Sequence, residues 1–223
     1  MSRKTGRVRR PRANTMWSRM FDFGTGTGNY MFLAVDNAGG DVRFAMTNNG
    51  PGAEQGISSS FPVDAFGQSG AASFDNSSAS LLPLGRWSLV TVTLAGNVGT
   101  LYVNGTAVGS NDDITLTPSA LGDTTQDWLG RSQFADPFFN GAIDDFNISD
   151  TALTSAQVAA LAKGTTPVVG DVADYRFDES SGSTVADSSG NGQTATIVSN
   201  PTNNATETGT SDDQLWQLVR AGR

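Results

Sequence analysis

Residues 85–110 read GRWSLVTVTLAGNVGTLYVNGTAVGS. Apolar and polar residues alternate along this stretch, which is typical of β-strands that bury one face. The pattern predicts three strands, at Trp87–Leu94, Gly99–Val103 and Thr106–Gly109. The last two are separated by Asn104-Gly105, a dipeptide that favours the type I′ turn of a tight hairpin. These residues therefore predict neighbouring strands of an antiparallel sheet.

Strand-like runs separated by turn residues continue along most of the chain. They lie at residues 17–35, 41–47, 128–131 and 141–149. The first run indicates two strands joined by the turn at Gly24–Gly28. The β-rich NYMFLAV that follows argues against a phosphate-binding loop, which would open a helix. For the polar residues 48–80 the sequence leaves open an edge strand around Gly56–Phe61 or a surface loop.

One helix is predicted, at residues 154–162. Thr154 as the N-cap and Gln157 three residues later have the spacing of a capping box, and Gly164 ends the helix. The remaining composition is rich in Gly, Ser, Thr, Asn and Asp and poor in charged residues, which is typical of an all-β protein. A length of 223 residues suits one β-sandwich, or one plus part of a second.

Cysteine and histidine are absent. Their absence excludes disulfides, thiol nucleophiles, zinc sites built from Cys and His, and catalytic triads with a histidine base. Residues 1–20 hold seven of the 14 basic residues and none of the 22 acidic ones. Residues 21–223 therefore hold seven basic and 22 acidic residues, which gives them a formal charge of −15. Such an acidic body disfavours nucleic acid and anionic lipid and suits cations and neutral ligands.

Neither a membrane span nor a signal peptide is predicted. No apolar run is long enough to cross a bilayer, so no membrane insertion is expected. The basic start, Arg3 to Arg12, is not followed by an apolar segment and does not have the pattern of a signal peptide.

Four segments resemble the laminin G-like jelly-roll domains of bacterial extracellular proteins: WSRMFDFGTGTGNYMFL, GRWSLVTVTLAGNVGTLYVNG, DWLGRSQFADPFFNGAIDDFNIS and TALTSAQVAALA. The resemblance covers residues 17–162. It implies an all-β fold, a two-sheet antiparallel jelly-roll sandwich of the concanavalin A-like class with one short C-terminal helix near 154–162. It also implies an extracellular or cell-surface location.

The resemblance implies a non-catalytic binding module of a larger exported multidomain protein, with a polysaccharide or glycan as its partner. An alternative is a protein-interaction, adhesion or spacer domain that contacts an extracellular protein. A third reading is a glycoside hydrolase on the same fold, but the E-x-D-x-E strand motif of laminarinase-like relatives is absent. The adjacent Asp144 and Asp145 on one predicted strand point to opposite faces, which is poor geometry for an acid/base pair.

The order of segments departs from the family pattern. The piece ADYRFDESSGSTVADSSGNGQTATIV usually begins such a domain, whereas here it follows the domain. Residues 172–200 are therefore expected either to start a second repeat or to complete the first sandwich. The predicted organisation is a disordered basic arm (1–15), the laminin G-like domain without its usual first strands (16–163), a linker (164–171), residues 172–200, and a tail (201–223) disordered except for a short segment at Gln214–Val219.

The loop around Asp187-Ser188-Ser189-Gly190-Asn191 offers oxygen ligands of the kind that calcium prefers. In the family that the chain resembles, this loop lies near the strand that matches Ile143–Phe146, and calcium is often bound between them. The resemblance thus implies a structural Ca²⁺ held by Asp187, Asn191 and one of Asp144 or Asp145. The alternative is turn and capping chemistry by these Asp and Asn side chains.

Sugar binding by a sandwich needs an exposed aromatic ring, with polar side chains that fix the hydroxyl groups. The residues considered for this role are Trp128, Tyr102, Arg131 and Asp136. The competing interpretation places the tryptophans in the core, because Trp17, Trp87 and Trp128 all lie within apolar strand patterns.

Overall fold

The computed structural model describes residues 2–9, 16–35, 42–59, 82–83, 85–165, 171–198 and 215–218. These residues form two antiparallel sheets. The six-stranded sheet contains, in spatial order, β11 (Asp171–Tyr175), β10 (Ala142–Ser149), β1 (Ser2–Arg9), β6 (Trp87–Ala95), β7 (Val98–Val103) and β8 (Thr106–Asn111). The eight-stranded sheet contains β12 (Thr184–Val185), β13 (Ala195–Val198), β14 (Leu215–Leu218), β9 (Gln126–Leu129), β2 (Arg19–Gly24), β3 (Tyr30–Ala34), β4 (Arg43–Thr47) and β5 (Gln55–Ser58). The predicted all-β jelly-roll sandwich is confirmed.

Local sequence signals placed several elements correctly. The three strands of residues 85–110 are β6, β7 and β8. Between the last two, Asn104 (φ 50°) and Gly105 (φ 83°) both have the positive φ that a type I′ turn requires. In residues 48–80 an edge strand is observed, because β5 is the last strand of the eight-stranded sheet; residues 60–80 lie outside the described part of the chain.

The predicted helix is α1 (Ser155–Ala162), and it carries the predicted capping box. The Gln157 backbone N–H donates to Thr154 Oγ1 (3.3 Å), and the Thr154 backbone N–H donates to Gln157 Oε1 (2.8 Å). Val158 of this helix packs with Tyr102 and Leu153 outside the main core. The helix therefore covers Tyr102, which is only 7% exposed.

Aromatic rings from both sheets meet in the main core. Phe146 of β10 lies 5.8 Å from Phe21 and 6.0 Å from Phe23 of β2, measured between ring centroids. The rings are tilted by 67° and 82°, which is the favourable edge-to-face arrangement. The other largest side chains buried in this core are Met20, Phe44, Met46, Ile57, Leu101, Leu129 and Tyr175.

A second, smaller core lies on the other face of the eight-stranded sheet. We call it the outer core; its buried members are Tyr30, Phe32, Ala34 and Ala45, and Trp17 and Phe134 pack against them. Strand β3 is therefore buried on both of its faces. The outer core is the platform on which the candidate site is built.

The prediction of a disordered arm at residues 1–15 is wrong for residues 2–9. Strand β1 pairs with β6 on one side and with β10 on the other, so that Thr5 lies opposite both Thr91 and Asn147. Without β1, both neighbouring strands would present unpaired backbone groups, which is costly in a sheet. The basic side chains of this segment suggested a disordered arm. The pairing of β1 with its neighbours depends on backbone hydrogen bonds instead, which the side-chain composition does not reveal. Residues 1 and 10–15 lie outside the described part.

Residues 171–198 add strands to both sheets. Strand β11 pairs with β10, and β13 pairs with β14, which itself pairs with β9. Tyr175 is fully buried, its ring stacks 6.4 Å from that of Phe146, and its hydroxyl donates to the Gln193 carbonyl. These pairings are those of a segment that completes the first sandwich. Of the predicted linker and tail, residues 166–170, 199–214 and 219–223 lie outside the described part.

We expect Tyr175→Ala to lower the free energy of unfolding by about 3–5 kcal/mol, as for other large aromatic side chains removed from a core. The physical reason is the lost contact with Phe146 across the β10–β11 pair. Urea unfolding followed by fluorescence measures the change. Arg176→Ala, at an exposed position next along the chain, serves as the control and should change stability little. Equal stabilities for both variants would contradict the integration of residues 171–198 into this core.

Candidate functional site

Polar and aromatic side chains gather on the outer face of the eight-stranded sheet. Asp22 of β2 lies directly opposite Trp128 of β9 and also opposite Phe32 of β3. Residues that are directly opposite in adjacent strands share a face of the sheet. We call the following set the outer-face cluster: Arg19, Asp22, Trp128, Arg131, Ser132 and Asp136.

The surface of the cluster is formed by Arg131 and Trp128. The guanidinium carbon of Arg131 lies 4.2 Å from the centre of the Trp128 ring, a cation–π contact. Arg131 is exposed and Trp128 is half-buried. Among the described residues no ion pair of Arg131 is found, and its exposed side chain leaves N–H donors accessible to a ligand. The pair combines a flat aromatic surface with a fork of hydrogen-bond donors.

Residues 131–136, which we call the covering segment, are tied to the sheet by two carboxylates. Asp22 Oδ2 accepts from the Gln133 backbone N–H (3.1 Å) and from the Ser132 hydroxyl (3.4 Å). Asp136 Oδ2 accepts from the same hydroxyl (2.8 Å) and from Arg19 Nη2 (3.3 Å). Phe134 packs edge-on against Tyr30, with 5.4 Å between ring centroids. The covering segment therefore closes over the outer core.

Arg19 and Asp22 form a buried charged pair beneath the covering segment. Arg19 Nε lies 3.7 Å from Asp22 Oδ2, and the two side chains are 4% and 0% exposed. The Arg19 guanidinium lies 3.5 Å above the Phe32 ring. Arg19 Nε and Nη1 and Asp22 Oδ1 are buried without a hydrogen-bond partner. Burial raises the pKa of Asp22 to about 7, although the charge of Arg19 and the bonds from Gln133 and Ser132 oppose the rise.

Three of the four residues considered for sugar binding are brought together here: Trp128, Arg131 and Asp136. Tyr102 is not among them, because it lies under α1 on the six-stranded sheet. The expectation that Trp87 is a core residue is wrong: its side chain is 46% exposed at the start of β6. Sequence reasoning missed Arg19 and Asp22 as site residues. The signal that could have indicated Asp22 is its place between two core phenylalanines in the segment MFDF.

The predicted calcium loop is organised around Asp187. Its Oδ1 accepts from the backbone N–H groups of Asp174 and Ser189, both at 2.9 Å. Its Oδ2 accepts from the Ser189 hydroxyl (2.8 Å) and from the Gln193 N–H (2.9 Å). Burial raises the pKa of Asp187, but these hydrogen bonds outweigh it and hold the pKa below its ordinary value.

The four predicted calcium ligands do not form a site that fits a cation. The four hydrogen bonds to Asp187 use its four lone-pair positions. Asn191 Nδ2 donates to the Val172 carbonyl (3.1 Å), and Asp144 Oδ1 accepts from the Asp145 N–H (3.0 Å). Asp145 has a φ of 51° at a bulge in β10. No group of three acidic side chains in the described residues is placed to hold a metal. These hydrogen bonds favour the turn and capping alternative, and the predicted calcium ion is untested until melting is measured with and without calcium.

Comparisons with known proteins agree with this architecture. A laminin G family model, described as the concanavalin A-like lectin/glucanases superfamily, matches residues 9–159. The chain belongs to the concanavalin A-like lectin/glucanase superfamily. A search of curated protein sequences finds no significant match. Among the described residues, no helix has the length and apolar character needed to cross a membrane.

Three solved structures share the fold of this chain. Domain 4 of an extracellular GH43 arabinanase from Geobacillus stearothermophilus, in complex with arabinotriose, is 19% identical with a TM-score of 0.53, over 73% of this chain and 66% of that one. A Bacteroides ovatus protein to which carbohydrate binding has been ascribed is 19% identical with a TM-score of 0.57, over 85% of this chain and 50% of that one. The sialidase CBM40 of Ruminococcus gnavus, bound to α2,3-sialyllactose, is 12% identical with a TM-score of 0.54, over 72% and 82%. The chain thus covers less than two thirds of the first two, and at these identities the likeness concerns the fold.

Replacing Asp187 with alanine should destabilise the protein equally in calcium and in chelator. The substitution leaves three backbone N–H groups without their acceptor, at a cost of about 1–3 kcal/mol. Melting temperatures measured with calcium and with excess chelator test this, with Asp178→Asn, at an exposed position, as the control. Because the hydrogen bonds already occupy Asp187, we expect the native protein to melt at the same temperature in both conditions. A rise in calcium that Asp187→Ala abolishes would establish the cation site.

The pKa of Asp22 predicts that stability falls with rising pH. The ordinary value is 3.8 and the folded value is about 7, so the folded state binds the proton more tightly between them. The free energy of unfolding should therefore decrease from about pH 4 to about pH 7 through this group. Asp187, with its lowered pKa, acts in the opposite sense and only in more acidic solution.

Urea unfolding between about pH 5 and about pH 8 measures this dependence. Asp22→Asn should flatten the profile, because the amide carries no titrating proton. Asp112→Asn changes an exposed aspartate and should leave the profile as in the native protein. Identical slopes for Asp22→Asn and the native protein would contradict the assignment.

Proposed function

We propose that the protein is a non-catalytic carbohydrate-binding module of a larger exported protein, and that the saccharide docks on Arg131 and Trp128. The observation that carries the proposal is the guanidinium held 4.2 Å above the half-buried Trp128 ring at the sheet surface. The extracellular arabinanase domain with bound arabinotriose has the same fold. We propose an extracellular or cell-surface location on the same basis.

The chemistry of the pair suits a sugar. A pyranose or furanose ring presents hydroxyl oxygens at its edge, which accept from a guanidinium, and C–H groups on one face, which pack on the flat surface of the stacked Arg131 and Trp128. Stacking on Trp128 limits the motion of Arg131, so less conformational entropy is lost when a ligand binds. Because β1 and Arg19 belong to the folded protein, the relevant formal charge is the −8 of the whole chain, which favours a neutral saccharide over an anionic one.

A protein-interaction or adhesion role is the alternative, and exposed Trp87 is the observation that favours it. Trp87 lies at the start of β6 in the six-stranded sheet and is 46% exposed. Exposed tryptophan is enriched at the centres of protein interfaces. The two functions therefore depend on different sheets, and variants at Trp87 and at Arg131 separate them.

The pair Asp22 and Asp136 is the observation that would favour a glycoside hydrolase. A carboxyl group with a raised pKa beside a second carboxylate is a common feature of acid/base sites. Asp22 is 0% exposed, however, and both carboxylates accept from the hydroxyl of Ser132. A saccharide substrate would have to displace the covering segment before its glycosidic bond could reach these carboxylates. We therefore propose a structural role for these carboxylates and expect no release of reducing sugar.

Arg131→Ala should weaken saccharide binding about five- to tenfold, the loss expected for one partly exposed cation and its hydrogen bonds. A glycan array identifies the saccharide, and isothermal titration calorimetry measures its Kd. Arg86→Ala is the matched control, since Arg86 is also exposed but directly precedes β6 of the other sheet.

Trp87→Ala should leave the same Kd unchanged. A loss of binding in Trp87→Ala with normal binding in Arg131→Ala would move the site to the six-stranded sheet. The absence of any saccharide ligand, together with capture of an extracellular protein that Trp87→Ala abolishes, would replace this proposal with the interaction role. Time-dependent release of reducing sugar would contradict the non-catalytic assignment.

A further inference from the structure

Asp22 is connected to both parts of the docking surface, to Trp128 as its cross-strand partner and to Arg131 through the backbone. It lies opposite Trp128 across the β2–β9 ladder, and its carboxylate accepts from the Gln133 backbone N–H, two residues beyond Arg131. A change at Asp22 therefore acts on the backbone that carries Arg131. This connection runs through a hydrogen bond and a cross-strand pair and needs no rearrangement of the sheet.

The covering segment is held by backbone hydrogen bonds near its ends and by side chains along its length. The Gly130 N–H donates to the Met20 carbonyl, and the Phe139 N–H donates to the Gly130 carbonyl, each at 3.0 Å. The first bond holds the start of the loop on β2, and the second joins the end of the loop to its start. Between them, the attachment to the sheet depends on the carboxylates of Asp22 and Asp136, on Gln133 and on the packing of Phe134.

We propose that Asp22, Arg19 and Asp136 are positioning residues that hold the covering segment, and with it Arg131 on the Trp128 ring, and that this hold loosens as Asp22 becomes charged. The proposal rests on the proposed function in one respect, namely that Arg131 and Trp128 bind the saccharide. The effect on the covering segment itself is a property of the unliganded protein.

The physical reason is the cost of a charged carboxylate in the closed arrangement. Asp22 Oδ1 is buried and has no hydrogen-bond partner. A charged carboxylate oxygen in such a position loses its hydration without gaining a hydrogen bond. The free-energy cost of this loss is much smaller for a protonated carboxyl group. When the covering segment lifts, water reaches the carboxylate and the cost disappears. Closure is therefore linked to proton uptake at Asp22.

The charged and titratable groups around Asp22 determine where this titration occurs. Arg19, on the same strand, favours the charged form, whereas Asp136 of the covering segment opposes it. Tyr30 of β3 is also within the field of Asp22, but burial raises its pKa well above neutral, so that it stays protonated. Strand β9 contributes the neutral Trp128 at this position. The pKa of about 7 for Asp22 puts the transition near neutral pH.

The test follows the indole N–H resonance of Trp128 by NMR without any saccharide. The resonance is identified by its disappearance in Trp128→Phe. In the native protein it should shift with a midpoint near pH 7, the folded pKa of Asp22. In Asp22→Asn it should be independent of pH across this range, and in Asp112→Asn it should titrate as in the native protein.

Two further variants should shift the midpoint in opposite directions, which assigns the transition to Asp22. Ser132 donates to Asp22 and lowers its pKa, so Ser132→Ala should move the midpoint to higher pH. The charge of Asp136 raises the pKa of Asp22, so Asp136→Asn should move the midpoint to lower pH. These variants also keep the test decisive if Asp22→Asn fails to fold. A native resonance without a transition near neutral pH, or shifts of the same sign in both variants, would overturn the proposal.

The saccharide titration then separates the two proposals. If both hold, the Kd of the saccharide should rise by about threefold or more between about pH 5.5 and about pH 8, and Asp22→Asn should remove this dependence. A resonance that titrates in a protein that binds no saccharide would uphold the positioning role and overturn the proposed function. A Kd independent of pH, with a resonance that does not titrate, would uphold the function and overturn the positioning role.

Discussion

The edge-to-face contact of Phe146 with Phe21 and Phe23 joins the two sheets. This contact also determines which side chains of β2 lie on the outer face of the eight-stranded sheet. These rings fix the position of β2 from the core side. Because successive residues of a strand point to opposite faces, Phe21 and Phe23 in the core place Asp22 on the outer face. The location of the charged pair under the covering segment is thus a consequence of aromatic packing on the opposite side of the same strand.

Burial on both faces of the eight-stranded sheet has a cost as well as a benefit. The outer core removes Tyr30 and Phe32 from water, and this apolar burial stabilises the covering segment. It also removes Arg19 and Asp22 from water, with several of their polar atoms unpaired. A buried ion pair of this kind contributes little net stability. Its effect is to make the conformation of one surface segment sensitive to protonation.

Elements defined by local sequence were predictable, and elements defined by distant pairing were not. The turn at Asn104-Gly105 and the capping box of Thr154 and Gln157 depend on neighbouring residues, and both are observed where the sequence predicted them. Strand β1 depends on partners far along the chain, which a local pattern does not reveal. The candidate site shows the same division. Trp128, Arg131 and Asp136 were recognisable as residue types, whereas the burial of Asp22 results from a segment more than a hundred residues away.

The positions of β1 and β14 within their sheets have a consequence for how the chain folds. Each is an inner strand, with β1 between β10 and β6, and β14 between β13 and β9. Arg3 pairs with Ser149, and Trp216 pairs with Leu129, so both strands close long loops. Closing a long loop costs conformational entropy before any stabilising contact forms. The hairpins β2–β3 and β7–β8 close short loops and can form early. Each sheet therefore assembles from two halves, and the strand that arrives last converts four exposed edges into two.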